Sequence, residues 1–211
     1  MDFRLYRFGV VITTSQAGLW TDSRYFLQAA QQLEGTEIKL YKEMLPETPS
    51  ISTFLSTQLT PGDTVGIDGK MFSAEEVEKM QAELQKCQIE VKSISDPLDK
   101  LWTDRPPMPE APAFIYETQY AGKSSIEKIT IIRKELKKCN AKALFLSALD
   151  EIAWTLNLRG NDVHCNPVLV SYLLIEENET HYFIQPQKIT AEVATYMKET
   201  GVNLHAYEEA E

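Results

Sequence analysis

The sequence has little cysteine. Its three cysteines are Cys87, Cys139 and Cys165, and no two of them are spaced as CxxC. An odd number of widely separated cysteines indicates neither a disulfide framework nor a zinc knuckle. We therefore expect three buried, reduced thiols.

An excess of basic residues is also missing. The chain has 21 Lys and Arg against 31 Asp and Glu, which gives a formal net charge of -10. Binding to a phosphate backbone depends on clustered basic side chains, and an acidic protein opposes it. Nucleic acid is therefore excluded as a partner.

Long hydrophobic runs are absent from the sequence. No apolar stretch approaches the roughly 20 residues that a membrane-spanning helix needs. The first nine residues (MDFRLYRFG) contain no apolar segment of signal-peptide length. We expect a cytoplasmic protein with no membrane partner.

The local motifs of several enzyme classes are missing as well. The sequence contains no HExxH, GxSxG, GxGxxG or GxxxxGK[ST] pattern. The histidines His164, His181 and His205 lie far apart in sequence, and we expect surface or packing roles for them. His164 and Cys165 are neighbours, but adjacent side chains on an extended chain point to opposite faces, which separates a nucleophile from its base. We predict no catalytic residue, no metal ligand and no cofactor in this chain.

What the sequence does contain is typical of a folded α/β protein. It has 211 residues, 43% of them hydrophobic and 25% charged, which allows one large domain or two small ones. The β-branched run after Gly9 and the run into Trp20 predict a hairpin, and a helix from Asp22 to a glycine stop at Gly35 follows. Residues 37–44 then predict a strand.

The rest of the first half predicts two further helix and strand pairs. The helices cover residues 50–59 and 73–87, and the strands cover 65–68 and 89–94. Ser73 and Glu76 form the sequence pattern of a capping box at the start of the second helix.

A proline-rich segment separates the two halves. Residues 104–112 (DRPPMPEAP) contain four prolines, a density that removes backbone donors and prevents regular structure. We place a linker there, between a first domain at residues 1–103 and a second at residues 113–211.

The second half repeats the order of elements seen in the first. It begins with a helix at 124–139 that buries Ile126, Ile129 and Leu136, followed by a strand at 143–146 and a helix at 150–156. A hairpin at 168–184, a helix at 190–200 and a strand at 202–206 come next. Hairpin, helix, glycine stop and strand thus occur at residues 9–44 and again at 169–207. The first half lacks the opening elements of this unit and the second its closing ones, so we expect both domains to be truncated.

Arg24 is the candidate binding residue, since it lies in the first turn of a helix, where a cation is disfavoured. One reading is structural, an ion pair with Asp22 or another carboxylate. The other is functional, with the guanidinium directed at a ligand carbonyl or carboxylate. The residues alone leave both open.

Residues 150–166 (DEIAWTLNLRGNDVHCN) combine acids, amides and a glycine turn. Such a density is typical of a buried polar network. We expect Trp154 and Leu156 to pack in the core. Four polar residues should satisfy backbone groups of the following loop: Asn157, Arg159, Asp162 and Asn166.

Four segments of the sequence, in the same order, resemble Xaa-Pro aminopeptidases of the aminopeptidase P family, particularly the long three-domain branch. They are LWTDSRYFLQAAQQL (19–33), VGID (65–68), LWTDRP (101–106) and ALDEIAWTLNLRGNDVHCNPVLVSY (148–172). The resemblance implies an α/β fold of two creatinase N-terminal-type domains, each a mixed sheet flanked by helices. It also implies a third, pita-bread catalytic domain holding two metal ions, usually manganese, which is not in this chain.

The resemblance implies a function as well as a fold. It identifies the chain as the non-catalytic N-terminal region of a metallopeptidase that releases the residue before a proline. This region alone would be inactive, and it would shape the substrate entrance and take part in subunit assembly. The position of Arg24 contributes to substrate binding in this family, the substrates are peptides with proline in second position, and the family forms dimers. The alternative is a stand-alone peptide- or partner-binding module without catalysis.

Overall fold

The structure, a computed structural model, describes residues 8–210. Residues 1–7, with which the predicted first domain begins, and Glu211 lie outside the described residues. The chain divides into two compact units, Met1–Arg105 and Pro106–Glu211, called here the first and second unit. Each unit has its own hydrophobic core.

The first unit opens with a three-stranded mixed sheet. Strands β1 (Phe8–Ile12) and β2 (Ala17–Thr21) form the predicted hairpin, and β3 (Ile38–Lys42) pairs with β2 in parallel. Helix α1 (Phe26–Leu33) connects β2 to β3, as a parallel pair requires. It ends before Gly35, whose φ of 78° is the left-handed conformation expected at a helix stop.

Two helices and a second, two-stranded sheet complete the first unit. Helix α2 (Ile51–Gln58) leads to β4 (Thr64–Asp68), and α3 (Ala74–Gln85) leads to β5 (Glu90–Ile94), which pairs with β4 in parallel. The capping box predicted at the start of α3 is confirmed, with both reciprocal hydrogen bonds present.

The core of the first unit is built on aromatic rings. Trp20 stacks on Tyr41 with centroids 4.0 Å apart, and Phe54 meets Trp20 edge-on at 5.1 Å. The Trp20 indole donates to the carbonyl of Pro49 at 2.9 Å, so the ring is buried without an unsatisfied donor. A Cβ at Gly18 would lie 2.7 Å from both Trp20 and Tyr41, so the stack requires glycine there.

The second unit has more elements than the sequence predicted. In chain order they are β6 (Phe114–Ile115), α4 (Thr118–Ala121), α5 (Ser125–Lys138), β7 (Ala143–Leu146), α6 (Leu149–Leu156), β8 (Leu158–Arg159), β9 (Ser171–Glu176), β10 (Thr180–Ile184), α7 (Ala191–Glu199) and β11 (Asn203–His205). The main sheet has the order β11-β10-β9-β7, with β10 and β11 parallel and the other pairs antiparallel. The short antiparallel pair of β6 and β8, and helix α4, were not predicted.

One face of the main sheet carries the core of the second unit. Alternate residues of β9, Ser171, Leu173 and Ile175, are buried beneath helices α5 to α7. The residues between them lie on the other face and are partly exposed. On α5 the prediction of burial is correct for Ile129, but Leu136 is only partly buried and Ile126 is 52% exposed.

The two units share the arrangement that the sequence order predicted. In each, an antiparallel hairpin is followed by a helix, a glycine with positive φ (Gly35, Gly201) and a third strand parallel to the second. The mixed α/β fold is therefore confirmed, and the truncation of both domains stays a prediction. Within residues 8–210, none of the helices has the length and apolar character needed to cross a membrane.

Candidate functional site

Arg24 lies in a short 3-10 turn (Ser23–Tyr25) that follows strand β2 directly. The carboxylate of Asp22 caps this turn by accepting a hydrogen bond from the backbone N–H of Arg24 at 3.0 Å. The same carboxylate accepts from the guanidinium twice, from Nε at 2.9 Å and from Nη2 at 2.7 Å. One aspartate thus both starts the turn and fixes the arginine in a two-pronged ion pair.

The guanidinium of Arg24 nevertheless stays at the surface. Its side chain is 66% exposed, against 21% for Asp22. The hydrogen bonds from Arg24 to Asp22, and then the charge of this carboxylate, raise the pKa of the guanidinium further above its ordinary value. A guanidinium has five N–H donors, so a pair through Nε and Nη2 leaves it able to bind a second acceptor.

The ion pair with Asp22 is the one that the structural reading of Arg24 expected. It does not decide between the two readings, because an exposed pair can also hold an arginine in position for a ligand. The substrate-binding role of Arg24 stays a prediction.

The segment 150–166 forms the predicted polar network around one buried lysine. Lys128 of helix α5 donates from Nζ to the carbonyl of Trp154 at 2.7 Å and to Oδ1 of Asn157 at 2.6 Å. Asn157 adopts a left-handed conformation with φ 52° and donates from Nδ2 to the carbonyl of Lys123 at 2.9 Å. Burial, and then the charge of Arg159, lower the pKa of Lys128.

A second part of this network is an ion pair between Asp162 and Lys188, whose side chains are both fully buried. The same Asp162 oxygen accepts from the backbone N–H of Val170 at 2.6 Å. Arg159 donates to the carbonyl of Leu158 at 2.8 Å and lies over the ring of Tyr116. The prediction for the following loop is correct for Asp162, whereas Asn157 and Arg159 bind carbonyls that precede the loop, and Asn166 is exposed. The contacts of Asn157, Arg159 and Asp162 are those of a structural network.

Other predictions for this region and for the thiols need correction. Leu156 is fully buried, but Trp154 is 48% exposed, and its ring lies 4.5 Å from the ammonium of the buried Lys128. The expectation of three buried thiols is wrong for Cys139 and Cys165, which are exposed, whereas Cys87 is half-buried. Cys165 lies in a turn with φ 60°.

Sequence separation was a poor guide to the histidines. His164 is exposed, whereas Nδ1 of His181 and Nε2 of His205 are 2.9 Å apart. The predicted elements could have indicated this contact, since His181 lies on the second hairpin strand and His205 on the strand parallel to it, and such strands lie side by side.

Comparison with known proteins places both units in one family. Residues 3–101 and residues 104–211 each match a family described as Creatinase/Prolidase N-terminal domain.

Full-length relatives are similar along nearly all of this chain. Aminopeptidase P2 of Arabidopsis thaliana is 37% identical over 94% of this chain, and a probable Xaa-Pro aminopeptidase P of Sordaria macrospora is 38% identical over 93%. The crystal structure of an X-prolyl aminopeptidase from Caenorhabditis elegans, described as a cytosolic enzyme with a di-nuclear active site, superposes with a TM-score of 0.90 at 32% identity, over 95% of this chain. The chain spans 28%, 32% and 33% of these three proteins, about a third of their length or less.

Proposed function

From the premise that this chain belongs to the creatinase/prolidase N-terminal domain family, we propose that it serves as the non-catalytic N-terminal region of an Xaa-Pro aminopeptidase. One observation carries the proposal. Similarity to such enzymes extends over 94% of this chain but over 28% of the relative's length, and each unit matches a family described as Creatinase/Prolidase N-terminal domain. The parent activity would be release of the N-terminal residue before a proline.

The chemistry would take place on a domain other than these two. A catalytic pair of metal ions, manganese by resemblance, needs several converging carboxylate and imidazole ligands. Two carboxylates of the segments that carry the resemblance are already engaged by basic side chains, since Asp22 pairs with Arg24 and Asp162 with Lys188.

Arg24 would supply recognition. Its guanidinium is fixed by Asp22, exposed, and located at the end of a strand in a rigid sheet, which are the properties of a group that orients a ligand. The acceptor would be a carbonyl or carboxylate of a peptide with proline in second position. Shaping of the substrate entrance, homodimer assembly and a cytoplasmic location belong to the same proposal.

The test is hydrolysis of an Xaa-Pro-Xaa peptide with added manganese, by the 211-residue chain and by the same chain extended through a catalytic domain. We expect activity in the extended protein only. Hydrolysis by the 211-residue chain alone would contradict the proposal, since the active site would then lie within these residues. Tight binding of the peptide by this chain, with no activity in the extended protein, would instead favour a stand-alone binding module.

A further inference from the structure

Three potential metal ligands meet at the tip of the β9–β10 hairpin. Glu176 is the last residue of strand β9, Glu179 lies in the turn, and His181 is the second residue of β10. The turn is closed by the backbone hydrogen bond from Glu176 to Glu179 at 2.9 Å. Because alternate residues of a strand share a face, Glu176 and His181 both lie on the sheet face opposite the helical core.

The ligand atoms of these side chains face one another closely. Nε2 of His181 is 3.2 Å from a carboxylate oxygen of Glu179 and 3.4 Å from one of Glu176, and the three ligand atoms lie within 4.8 Å of one another. Bonds of about 2.0–2.1 Å to a tetrahedral zinc ion place neighbouring ligand atoms about 3.3 Å apart. The two distances to His181 therefore have the spacing of ligands around a small divalent cation.

A chain of groups outside this triad holds the imidazole in place. Nδ1 of His181 is 2.9 Å from Nε2 of His205, and Nδ1 of His205 is 3.5 Å from a carboxylate oxygen of Glu209. With a cation bound at Nε2 of His181, the other ring nitrogen, Nδ1, would carry the proton and donate to Nε2 of His205.

One imidazole nitrogen, Nε2 of His181, and the carboxylates of Glu176 and Glu179 therefore converge at the spacing of metal ligands. We propose that His181, Glu176 and Glu179 form a site for a divalent transition-metal ion such as Zn²⁺, with a fourth position open to water. His205 and Glu209 orient the imidazole as an outer shell, the arrangement that metal-ligating histidines usually have.

The surrounding charges favour a cation at this place. Two basic side chains of helix α5 reach this hairpin without pairing with the proposed ligand carboxylates. Arg133 donates to the backbone carbonyl of Glu176 and the hydroxyl of Thr180, and Lys137 pairs with Glu177. His181 is 18% exposed, so its ring is held in place, whereas Glu176 and Glu179 are 46% and 64% exposed and reachable from solvent.

This proposal differs from the sequence-based expectation of no metal ligand in the chain, which stays a prediction. The proposed site lies in the second unit. The ion would link the β9–β10 hairpin, through His181 and His205, to strand β11 and the short turn Tyr207–Ala210. Its role would be structural.

Calorimetric titration of the untagged 211-residue chain with zinc chloride tests the proposal. We expect one Zn²⁺ per chain, at least tenfold weaker binding in Glu179→Gln and His181→Gln, and about 10- to 100-fold weaker binding in His205→Gln through the outer shell. Glu177→Gln is the matched control, because this residue lies in the same turn but pairs with Lys137, and its affinity should match that of the unchanged chain.

Co²⁺ provides a second readout that does not depend on affinity alone. Visible absorption bands of a four- or five-coordinate ion should appear in the unchanged chain and in Glu177→Gln, and should be lost in Glu179→Gln. No stoichiometric binding of Zn²⁺, or equal binding by Glu177→Gln and Glu179→Gln, would overturn the proposal.

Discussion

Arg24 and Asp22 show how a single pair of residues can serve both structure and recognition. One carboxylate oxygen of Asp22 caps the turn by accepting a hydrogen bond from the backbone N–H of Arg24. The backbone needs this interaction in any case. The arginine adds a bidentate contact at 66% exposure, where an ion pair contributes little to folding. What the pair contributes instead is a fixed direction for the guanidinium.

We predict that Arg24→Ala shifts the melting temperature of the 211-residue chain by less than about 2 °C, because an exposed charge pair adds little stability. In a protein extended through a catalytic domain, the same change should raise KM for an Xaa-Pro-Xaa peptide about 10- to 100-fold, the usual effect of losing a charged hydrogen bond. Thermal unfolding and steady-state kinetics measure the two effects.

Arg105→Ala is the matched control for Arg24→Ala. Arg105 is also an exposed arginine paired with aspartate, namely Asp96 and Asp99, and it has no assigned part in binding. KM should stay unchanged in this variant. A large fall in melting temperature for Arg24→Ala with unchanged KM would support the purely structural reading.

Tyr182 is a second residue whose environment has a measurable consequence. Its ring is fully buried in the second unit, and no partner for its hydroxyl occurs among residues 8–210. The neighbouring Ser171 hydroxyl donates to the carbonyl of Leu169 instead. Burial therefore raises the pKa of Tyr182 well above its ordinary value of 10.0.

We predict that Tyr182→Phe changes the free energy of unfolding at pH 7 by less than about 1 kcal/mol, because no hydrogen bond is lost. At higher pH the two proteins should diverge. Because the pKa of Tyr182 is raised in the folded state, the contribution of its neutral phenol to folding stability is complete below the unfolded pKa of 10.0. This contribution is lost as the pH rises beyond that value. Above pH 10 the original protein should lose about 1.4 kcal/mol per pH unit more than the variant.

Urea unfolding between pH 7 and pH 11, followed by circular dichroism, measures this difference. Tyr120→Phe is the control, since Tyr120 is 66% exposed and should keep the pH dependence of the original protein. Identical alkaline slopes for Tyr182→Phe and the original protein would show that the phenol ionises without cost in the folded state.

At the scale of elements, helix α5 depends on a capping box like that of α3. Ser124 Oγ accepts from the backbone N–H of Glu127 at 3.3 Å, and the Glu127 carboxylate accepts from the Ser124 backbone N–H at 2.8 Å and from its hydroxyl at 2.7 Å. These hydrogen bonds lower the pKa of Glu127, with the one from the hydroxyl as the largest cause.

We predict that Ser124→Ala lowers the free energy of unfolding by about 1 kcal/mol at pH 7. Since the folded-state pKa of Glu127 is lowered, its contribution is present above the ordinary value of 4.5 and is lost as the pH falls through the folded value. The difference between the variant and the original protein should therefore shrink below about pH 4.5. Urea unfolding at pH 7 and pH 4 measures it.

Thr130→Ala in the same helix removes an exposed hydroxyl that bonds back to the carbonyl of Ile126, and it should not destabilise the protein. An equal loss in the free energy of unfolding in both variants would contradict this prediction. The effect of Ser124→Ala would then come from removing a hydroxyl anywhere in the helix and not from losing the cap.

The long periodic elements could be predicted from the sequence because local chemistry specifies them. Capping boxes, glycine stops and β-branched runs placed α3, α5 and the hairpins close to their observed bounds. The short pair of β6 and β8 could not be found in this way, because strands of two residues carry no periodicity. Likewise, the contact of His181 with His205 depends on strand pairing across a helix, and the exposure of Trp154 depends on a lysine 26 residues away.

At the scale of the whole molecule, the two units have separate cores, and a proline-rich segment lies at their boundary. We predict that residues 1–105 and 106–211, produced separately, each fold, because a domain with its own core does not need its neighbour. The sum of their circular dichroism spectra should match that of the full chain, and each should melt cooperatively. A half that remains unfolded alone would show that its core is incomplete without the other.

The burial of the three tryptophans gives the first unit an optical reporter, since Trp20 is buried whereas Trp102 and Trp154 are 46% and 48% exposed. Trp20 of the first unit is 1% exposed and stacked on Tyr41, so its emission should be blue-shifted and should move to the red only when that unit unfolds. Trp154 of the second unit is 48% exposed, with the Lys128 ammonium 4.5 Å from its ring, so its emission should be red-shifted already in the folded state. A shift of the emission maximum therefore follows the first unit selectively, even within the intact chain.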